Sequence, residues 1–276
     1  MNVLLPRTVS EACELLASHE LAVPVAGGTD VFVHWPLRMD NRDRTFVDLS
    51  GLEELRGHRW TEEELVLGAL TTYWDIIIDG WAGAEMPVLV SAARQVGAVQ
   101  IQTRGTWAGN IVNASPAADG VAVLMACDAV VRLQSLEGTE EIPLSEFYLG
   151  YKVMRRSTGQ LLTEIRVPRR KYDFQMFEKV GSRSAQAITK VGVAVTRLGK
   201  EWRVVANSVA PTVCRCPTVE SFLAVGEPVR GPEDLAGSVR QDVSPIDDIR
   251  STARYRETVL TRLLYFGLRD ECPSFT

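Results

Sequence analysis

The residues best suited to chemistry form two glycine-bearing stretches. In the first, Pro24-Val25-Ala26-Gly27-Gly28-Thr29-Asp30, an apolar run from Leu21 meets two glycines and continues into Val31-Phe32-Val33. Paired glycines let the backbone turn sharply and let a bulky ligand approach, because no Cβ intervenes. Thr29 or Asp30 can cap a following helix, and the free amides there suit an anion. This is the pattern of a phosphate-holding turn built on backbone N–H groups without a lysine. Taken alone, Gly-Gly after a strand is ordinary turn chemistry, so a second loop has to close the other side of a ligand. The stretch from Val96 to Asp119 supplies one. It mixes small residues, hydroxyls and amides without an amphipathic period. It therefore reads as a long functional loop, neither helix nor strand, that buries Val99, Ile101, Trp107 and Ile111. Thr106 to Asn110 can offer amides and a hydroxyl to a pyrophosphate. Asp119 can accept hydrogen bonds from ribose or ribityl hydroxyls, or serve only to cap the next helix, Gly120 to Cys127.

Neither loop belongs to a Gly-x-Gly-x-x-Gly or a Gly-x-x-x-x-Gly-Lys-Ser/Thr pattern, which sets aside Rossmann and P-loop readings. Paired amide loops without a lysine suit a dinucleotide pyrophosphate. The five cysteines (13, 127, 214, 216 and 272) are odd in number and scattered, which gives no disulfide framework. Cys214 and Cys216 have no second pair, and His19, His34 and His58 do not stand at ligand spacing, so no metal site is expected. A net charge of -5 argues against a nucleic-acid or anionic-membrane partner. Without an h-region or an 18-residue apolar run, the chain is expected to be cytoplasmic with no membrane insertion. Its length of 276 residues allows two modest domains or one large one.

The elements that must position these loops read as follows. Thr8-Val9-Ser10-Glu11 is a capping box ahead of a helical stripe of Ala12, Leu15 and Leu16. Residues 21–25 read as a strand, and the helix from Thr29 is expected to end near Pro36. Strands over 44–49 and 65–70 follow. Thr71-Thr72 can cap a helix through Trp74, Ile77 and Ile78, and another covers about 87–96. Ala129 to Gln134 and Glu141 to Leu144 read as a strand pair, and Leu161 to Val167 as a strand stopped by Pro168. The basic cluster Arg169-Arg170-Lys171 marks the domain junction. Beyond it come strands near 173–180, 188–198 and 202–209, then helices near 217–225 and 231–239 and from Ser251 to Leu268.

With both loops and this order in view, the sequence resembles the FAD-binding medium subunit of the xanthine dehydrogenase and carbon monoxide dehydrogenase family of molybdenum hydroxylases. Residues 26–30 match that family's Ala-Gly-Gly-Thr-Asp loop. Residues 105–119, Gly-Thr-Trp-Ala-Gly-Asn-Ile-Val-Asn-Ala-Ser-Pro-Ala-Ala-Asp, match its second loop. Phe177 to Arg183, Ala187 to Val191, Val209 to Thr212 and Ser251 to Arg256 resemble its C-terminal signatures. The sequence departs from the family pattern at Ala108, where Gly is usual, at Trp107, where a small aliphatic residue is usual, and at Gln102-Thr103. Trp107 either stacks on the flavin or packs inside the protein.

The resemblance implies an α+β fold. It divides the chain into a two-subdomain, PCMH-like FAD-binding domain over 1–168 (about 1–52 and 53–168) and a smaller α+β domain over 169–276 with a three-stranded antiparallel sheet and helices. It implies a cofactor site made of Pro24, Val25, Ala26, Gly27, Gly28, Thr29 and Asp30, with Val96 and with Thr106, Trp107, Ala108, Gly109 and Asn110. Ala114, Ser115 and Asp119 complete that site, with Ile165 and Ile188 against the rings and Lys190 nearby. No catalytic acid or base is expected, because the flavin carries the redox chemistry. The implied partners are a molybdopterin-binding large subunit and a [2Fe-2S] small subunit, with NAD, oxygen or a quinone as electron acceptor. The alternative is a stand-alone FAD-dependent oxidoreductase on the same fold.

Overall fold

The computed structural model describes residues 2–34, 44–272 and 274–275. The chain opens with β1 (Asn2–Leu4), α1 (Val9–Ser18), β2 (Val23–Val25), α2 (Thr29–His34) and β3 (Thr45–Asp48). Their strands pair in parallel in the order β1-β3-β2, so Pro24 sits on an edge strand, where its missing N–H costs no ladder bond. Thr8 caps α1 as expected, its hydroxyl accepting from the Glu11 amide at 3.1 Å. Glu11 accepts from the Arg7 amide at 2.7 Å, one residue upstream of the reciprocal bond of a capping box. Pro36, expected to end the helix from Thr29, lies outside the described residues.

An antiparallel sheet with its helices follows. β4 (His58–Trp60) and β5 (Glu64–Gly68) lead into α3 (Tyr73–Ile77), α4 (Gly80–Glu85), α5 (Pro87–Gln95), α6 (Val99–Gln102), α7 (Trp107–Asn113) and α8 (Asp119–Ala126). Then come β6 (Val130–Ser135), β7 (Gly138–Pro143), the small hairpin β8 (Tyr148–Gly150) and β9 (Val153–Met154), and β10 (Leu161–Pro168). The five-stranded sheet runs β4-β5-β10-β6-β7.

Two short helices, α6 and α7, correct the reading of Val96 to Asp119 as a plain loop. Four and seven residues are too few for a hydrophobic period to show in sequence. The local signal was a cap: Thr106 Oγ1 accepts from the Gly109 amide at 3.0 Å. All eight residues of α8 are buried, which matches its run of apolar side chains on every face.

The last part consists of β11 (Phe174–Val180), β12 (Val191–Leu198), β13 (Glu201–Asn207), β14 (Cys214–Arg215), α9 (Pro217–Val225), α10 (Pro232–Asp242) and α11 (Ala253–Leu268). The three long antiparallel strands are those expected; a two-residue fourth joins at β13. Gly199, at φ +58°, turns β12 into β13. This sheet is covered on both faces. Val191, Val193 and Val195 pack among Leu260 and Leu264 of α11, whereas Ala194 joins the core around α8. Thr196 donates to the Ala126 carbonyl at 2.7 Å. Small residues on the α8 side let the helix approach the sheet, and burial on both sides explains the unbroken apolar run of β12.

Candidate functional site

The two glycine stretches meet. Gly27 lies so close to the backbone of Arg104 that a Cβ there would stand 1.7 Å from its carbonyl oxygen. Arg104 Nε donates to the Gly27 carbonyl at 3.3 Å, and Asn113 Nδ2 donates to Asp30 Oδ1 at 3.1 Å. Lys152, from the turn between β8 and β9, ties the end of α7 further by donating to the Asn113 carbonyl and to Asn113 Oδ1. Between the stretches lies a cleft of about 540 Å³.

Of the residues expected at the site, Pro24, Val25, Ala26, Gly27, Gly28, Thr29, Asp30, Val96, Thr106, Gly109, Asn110 and Ile188 line this cleft. Gly28 takes φ +72°, a left-handed conformation that favours glycine. Among the described residues, the N–H groups of Gly27, Gly28, Thr29 and Asp30 have no hydrogen-bond partner. On the opposite wall three of the expected amides are already engaged. Trp107 N–H donates to the Thr71 carbonyl at 3.2 Å, Gly109 N–H to Thr106 Oγ1, and Asn110 N–H to the Thr106 carbonyl at 3.1 Å. The free amides of the cleft therefore lie at 27–30, and α7 contributes mainly side chains and the bare surface of Gly109.

The other expected residues do not line the cleft. α7 turns Trp107, Ala108 and Ile111 into the core and Gly109, Asn110, Val112 and Asn113 outward, as helical spacing requires. Trp107 is fully buried, 4.8 Å from the Tyr73 ring, so of its two readings the structure selects packing. Ala108 has ordinary helical backbone, and its methyl group needs no conformation reserved for glycine. Ile165 corrects another expectation: it sits on the inward face of β10, fully buried opposite Leu67 and Val131. Ala114 ends α7 at φ 48°, and Ser115 accepts from the Ala117 amide at 3.2 Å. Lys190 lies immediately before β12, where its N–H donates to the Val180 carbonyl.

Asp119 is committed inside the protein. Oδ1 accepts from Thr189 Oγ1 at 2.6 Å and Asn207 Nδ2 at 2.9 Å, and Oδ2 from Lys179 Nζ at 2.8 Å. All three donors come from the C-terminal part, so the carboxylate that begins α8 joins that part to the rest. Its position at a helix N-terminus also suits a negative charge.

Sequence reasoning passed over Tyr73, Ile101, Val112 and Asn113, which line the cleft, because nothing in their local pattern marks them. Tyr73 has the sharpest signature. Burial, with smaller contributions from Asp119 and Tyr148, pushes its phenol well above the usual range, so it stays protonated. Its hydroxyl and Asn110 Oδ1 are buried without a partner among the described residues. Gln102, at a departure from the expected pattern, holds the chain beside Val96 by donating to the Arg94 and Val96 carbonyls at 3.0 and 3.2 Å. A second cleft, of about 650 Å³, lies at the other end of α5. Two of its arginines are paired: Arg169 to Glu85 at 2.5 Å and Arg170 to Asp128 at 2.9 Å.

Comparison with known proteins shows the family of the chain. Residues 1–170 match the family model of the FAD binding domain in molybdopterin dehydrogenase, and residues 176–270 that of the CO dehydrogenase flavoprotein C-terminal domain. The xanthine dehydrogenase FAD-binding subunit of Escherichia coli O157:H7 is 31% identical over 264 residues, covering 90% of this chain and 88% of that one. The glyceraldehyde dehydrogenase medium chain of Sulfolobus acidocaldarius is 28% identical over 269 residues, 95% of each chain. The fold superimposes on CO dehydrogenase from Oligotropha carboxidovorans with a TM-score of 0.85, at 23% identity and over 96% and 94% of the two chains. The chain belongs to the family of FAD-binding subunits of the molybdopterin-dependent dehydrogenases, oxidoreductases in which this subunit's cofactor is FAD.

Proposed function

We propose that the cleft between α2 and α7 holds FAD and that the chain is the electron-transfer subunit of a molybdenum hydroxylase. One observation carries the reading: two glycine-bearing stretches about eighty residues apart in sequence enclose one cleft, with four amides on one wall that have no partner among the described residues. In this reading the N–H groups of Gly27 to Asp30 hold the pyrophosphate, and Gly109 leaves room for it because it has no side chain. The buried Tyr73 hydroxyl and Asn110 Oδ1, otherwise unpartnered, fit the sugar and ribityl hydroxyls. Ile188 presents an apolar surface to the ring system, and Val96 closes the same end. Trp107, Ala108, Ala114, Ser115, Asp119, Ile165 and Lys190 act behind the site by shaping its walls. When bound, FAD can exchange electrons singly or in pairs, which suits a junction between one-electron carriers and a two-electron acceptor. The chain's own residues bind and orient the cofactor and limit solvent access to it.

On this reading the partners would be a molybdopterin-binding large subunit and a [2Fe-2S] small subunit as the source of electrons, with NAD, oxygen or a quinone as the acceptor. Supporting this reading, relatives named as medium chains or FAD-binding subunits of dehydrogenases match across nearly the whole chain. The division into 1–168 and 169–276 is part of the same proposal, with the second part closing over the cleft through Ile188. The test is the visible spectrum of the purified chain before and after FAD addition, with released cofactor identified by chromatography. Near-stoichiometric FAD and co-purification with iron- and molybdenum-containing subunits are expected. A chain that binds FAD yet stays alone and turns over a small molecule by itself refutes the partner assignment.

A further inference from the structure

We infer that Lys179 is the positioning residue of this cleft, its ammonium fixing the segments that carry Val96 and Ile188; the inference rests on the flavin reading above. Lys179 lies on β11 with its side chain only 9% exposed. Nζ donates to Asp119 Oδ2 at 2.8 Å, to the Gln95 carbonyl at 2.7 Å and to the Ala187 carbonyl at 3.3 Å. An ammonium has three donors, and all three are used. Gln95 and Ala187 directly precede the cleft-lining residues Val96 and Ile188. The third acceptor, Asp119, precedes Gly120, where an added Cβ would stand 2.9 Å from Asn110 Oδ1 and 3.1 Å from the Tyr73 hydroxyl. One buried cation thus holds the backbone next to both Val96 and Ile188 and, through Asp119, the start of the helix that passes Asn110 and Tyr73.

The segment around Ile188 is held at further points. Thr189 Oγ1 donates to Asp119, Ser208 Oγ donates to the Thr189 carbonyl at 2.9 Å, and Arg256 Nη1 donates to the Lys190 carbonyl at 3.1 Å. Ile188 itself stays 60% exposed, an apolar side chain presented to the cleft on a fixed backbone. The chain just before it, 181–187, has no helix or strand of its own. Lys179 supplies the bond at its end, so removing the ammonium frees the approach to Ile188 while Thr189 and Lys190 stay anchored.

The experiment titrates the full-length chain with FAD and follows flavin fluorescence, the vibronic structure of the visible bands and thermal stability. Lys179→Met keeps the apolar stem and removes the three donors. We expect its Kd for FAD to rise at least tenfold and its flavin bands to lose structure. It also leaves the Asp119 carboxylate buried without a cation, which lowers stability. The double variant Asp119→Asn/Lys179→Met removes that unpaired charge. It is expected to recover thermal stability yet keep the weak FAD binding, because Gln95 and Ala187 remain unheld. Wild-type affinity in folded Lys179→Met, or full recovery of affinity in the double variant, overturns the inference, since Lys179 would then only neutralise Asp119. Ile188→Asp, at an exposed position, separates the two readings. Wild-type binding there defeats the cleft assignment itself; weak binding there with unchanged Lys179→Met defeats only the role of Lys179.

Discussion

Gly27→Ala is the smallest substitution that tests how the two loops hold a ligand. An alanine Cβ would stand 1.7 Å from the Arg104 carbonyl oxygen and 2.5 Å from its carbon, whereas real Cβ contacts essentially never fall below 3.0 Å. The obstacle is backbone, so the loops have to part by at least the difference, 3.0 minus 1.7 or 1.3 Å. With the rest of the cofactor packed against the opposite wall, a shift of that size draws the Gly27 to Asp30 amides from about 2.9 Å to beyond 4 Å from the phosphate oxygens, too far for a hydrogen bond. Losing two charge-assisted bonds of about 1.5–3 kcal/mol each weakens binding by about 3–6 kcal/mol. That corresponds to a rise in Kd of about 10² to 10⁴. The stability loss is smaller, about 1–3 kcal/mol, as for other overpacked sites. Gly28→Ala is the comparison. Its Cβ meets side chain and not backbone, the Phe32 ring at 2.8 Å, and the left-handed backbone at φ +72° adds a strain of about 1–2 kcal/mol. FAD titration by flavin fluorescence and a thermal melt on both variants decide the matter. Affinity should fall far more than stability in Gly27→Ala, with Gly28→Ala weaker in its effect on Kd. A Gly27→Ala chain that binds FAD within threefold of wild type refutes the reasoning.

Other expectations follow from the same geometry. Trp107→Phe should lower the melting temperature and leave the flavin bands where they are, because the indole packs on Tyr73 and not on the cofactor; a shifted flavin maximum contradicts this. Asp119→Ala should cost about 3–5 kcal/mol of stability by stranding buried Lys179, a larger effect than the loss of one ligand hydrogen bond suggests. Chemical denaturation of that variant at neutral pH reads it directly. Asp79 gives a pH test. Burial pushes its carboxyl up, but hydrogen bonds from the Trp60 indole and the Trp81 amide, with His58 beside it, hold it net below its usual value of 3.8. The folded chain therefore binds fewer protons here than the unfolded chain. The stabilisation is full above the unfolded value and is lost as pH falls through the lower folded one. Asp79→Asn should flatten the acid limb of melting temperature against pH below about pH 5; an unchanged limb counts against the argument.

Much of the site was legible because its chemistry is local. Gly27-Gly28 after an apolar run announces a turn, and Thr106 to Asn110 a second group of amides and a hydroxyl, from neighbouring residues alone, whereas the cap that Thr106 makes on α7 does not show in that reading. The long helix from Ala253 and the strands over 161–168 and 191–198 were equally visible, since many residues share one period. Helices α6 and α7 were not, because one or two turns hold too few apolar positions to reveal a stripe. The resemblance puts Ile165 against the rings and leaves Trp107 either on the flavin or inside the protein; their burial depends on which face of β10 or α7 meets the core.

Local sequence dictates a glycine turn at 27–28 and a second glycine-bearing stretch at 105–109, both rich in amides or hydroxyls, with no lysine phosphate clamp and no cysteine framework. Those properties belong to residues adjacent in the chain and follow from backbone freedom and side-chain chemistry. Long-range packing makes the second stretch the start of α7, sets it across one cleft from the turn, and leaves the Gly27 to Asp30 amides without a partner among the described residues. It alone decided that Asp119 is held by Lys179, Thr189 and Asn207, which lie 60 to 88 residues away. Such contacts are chosen by the packing of α8 against the C-terminal sheet, where burial forces each polar group to find a partner that no local pattern specifies.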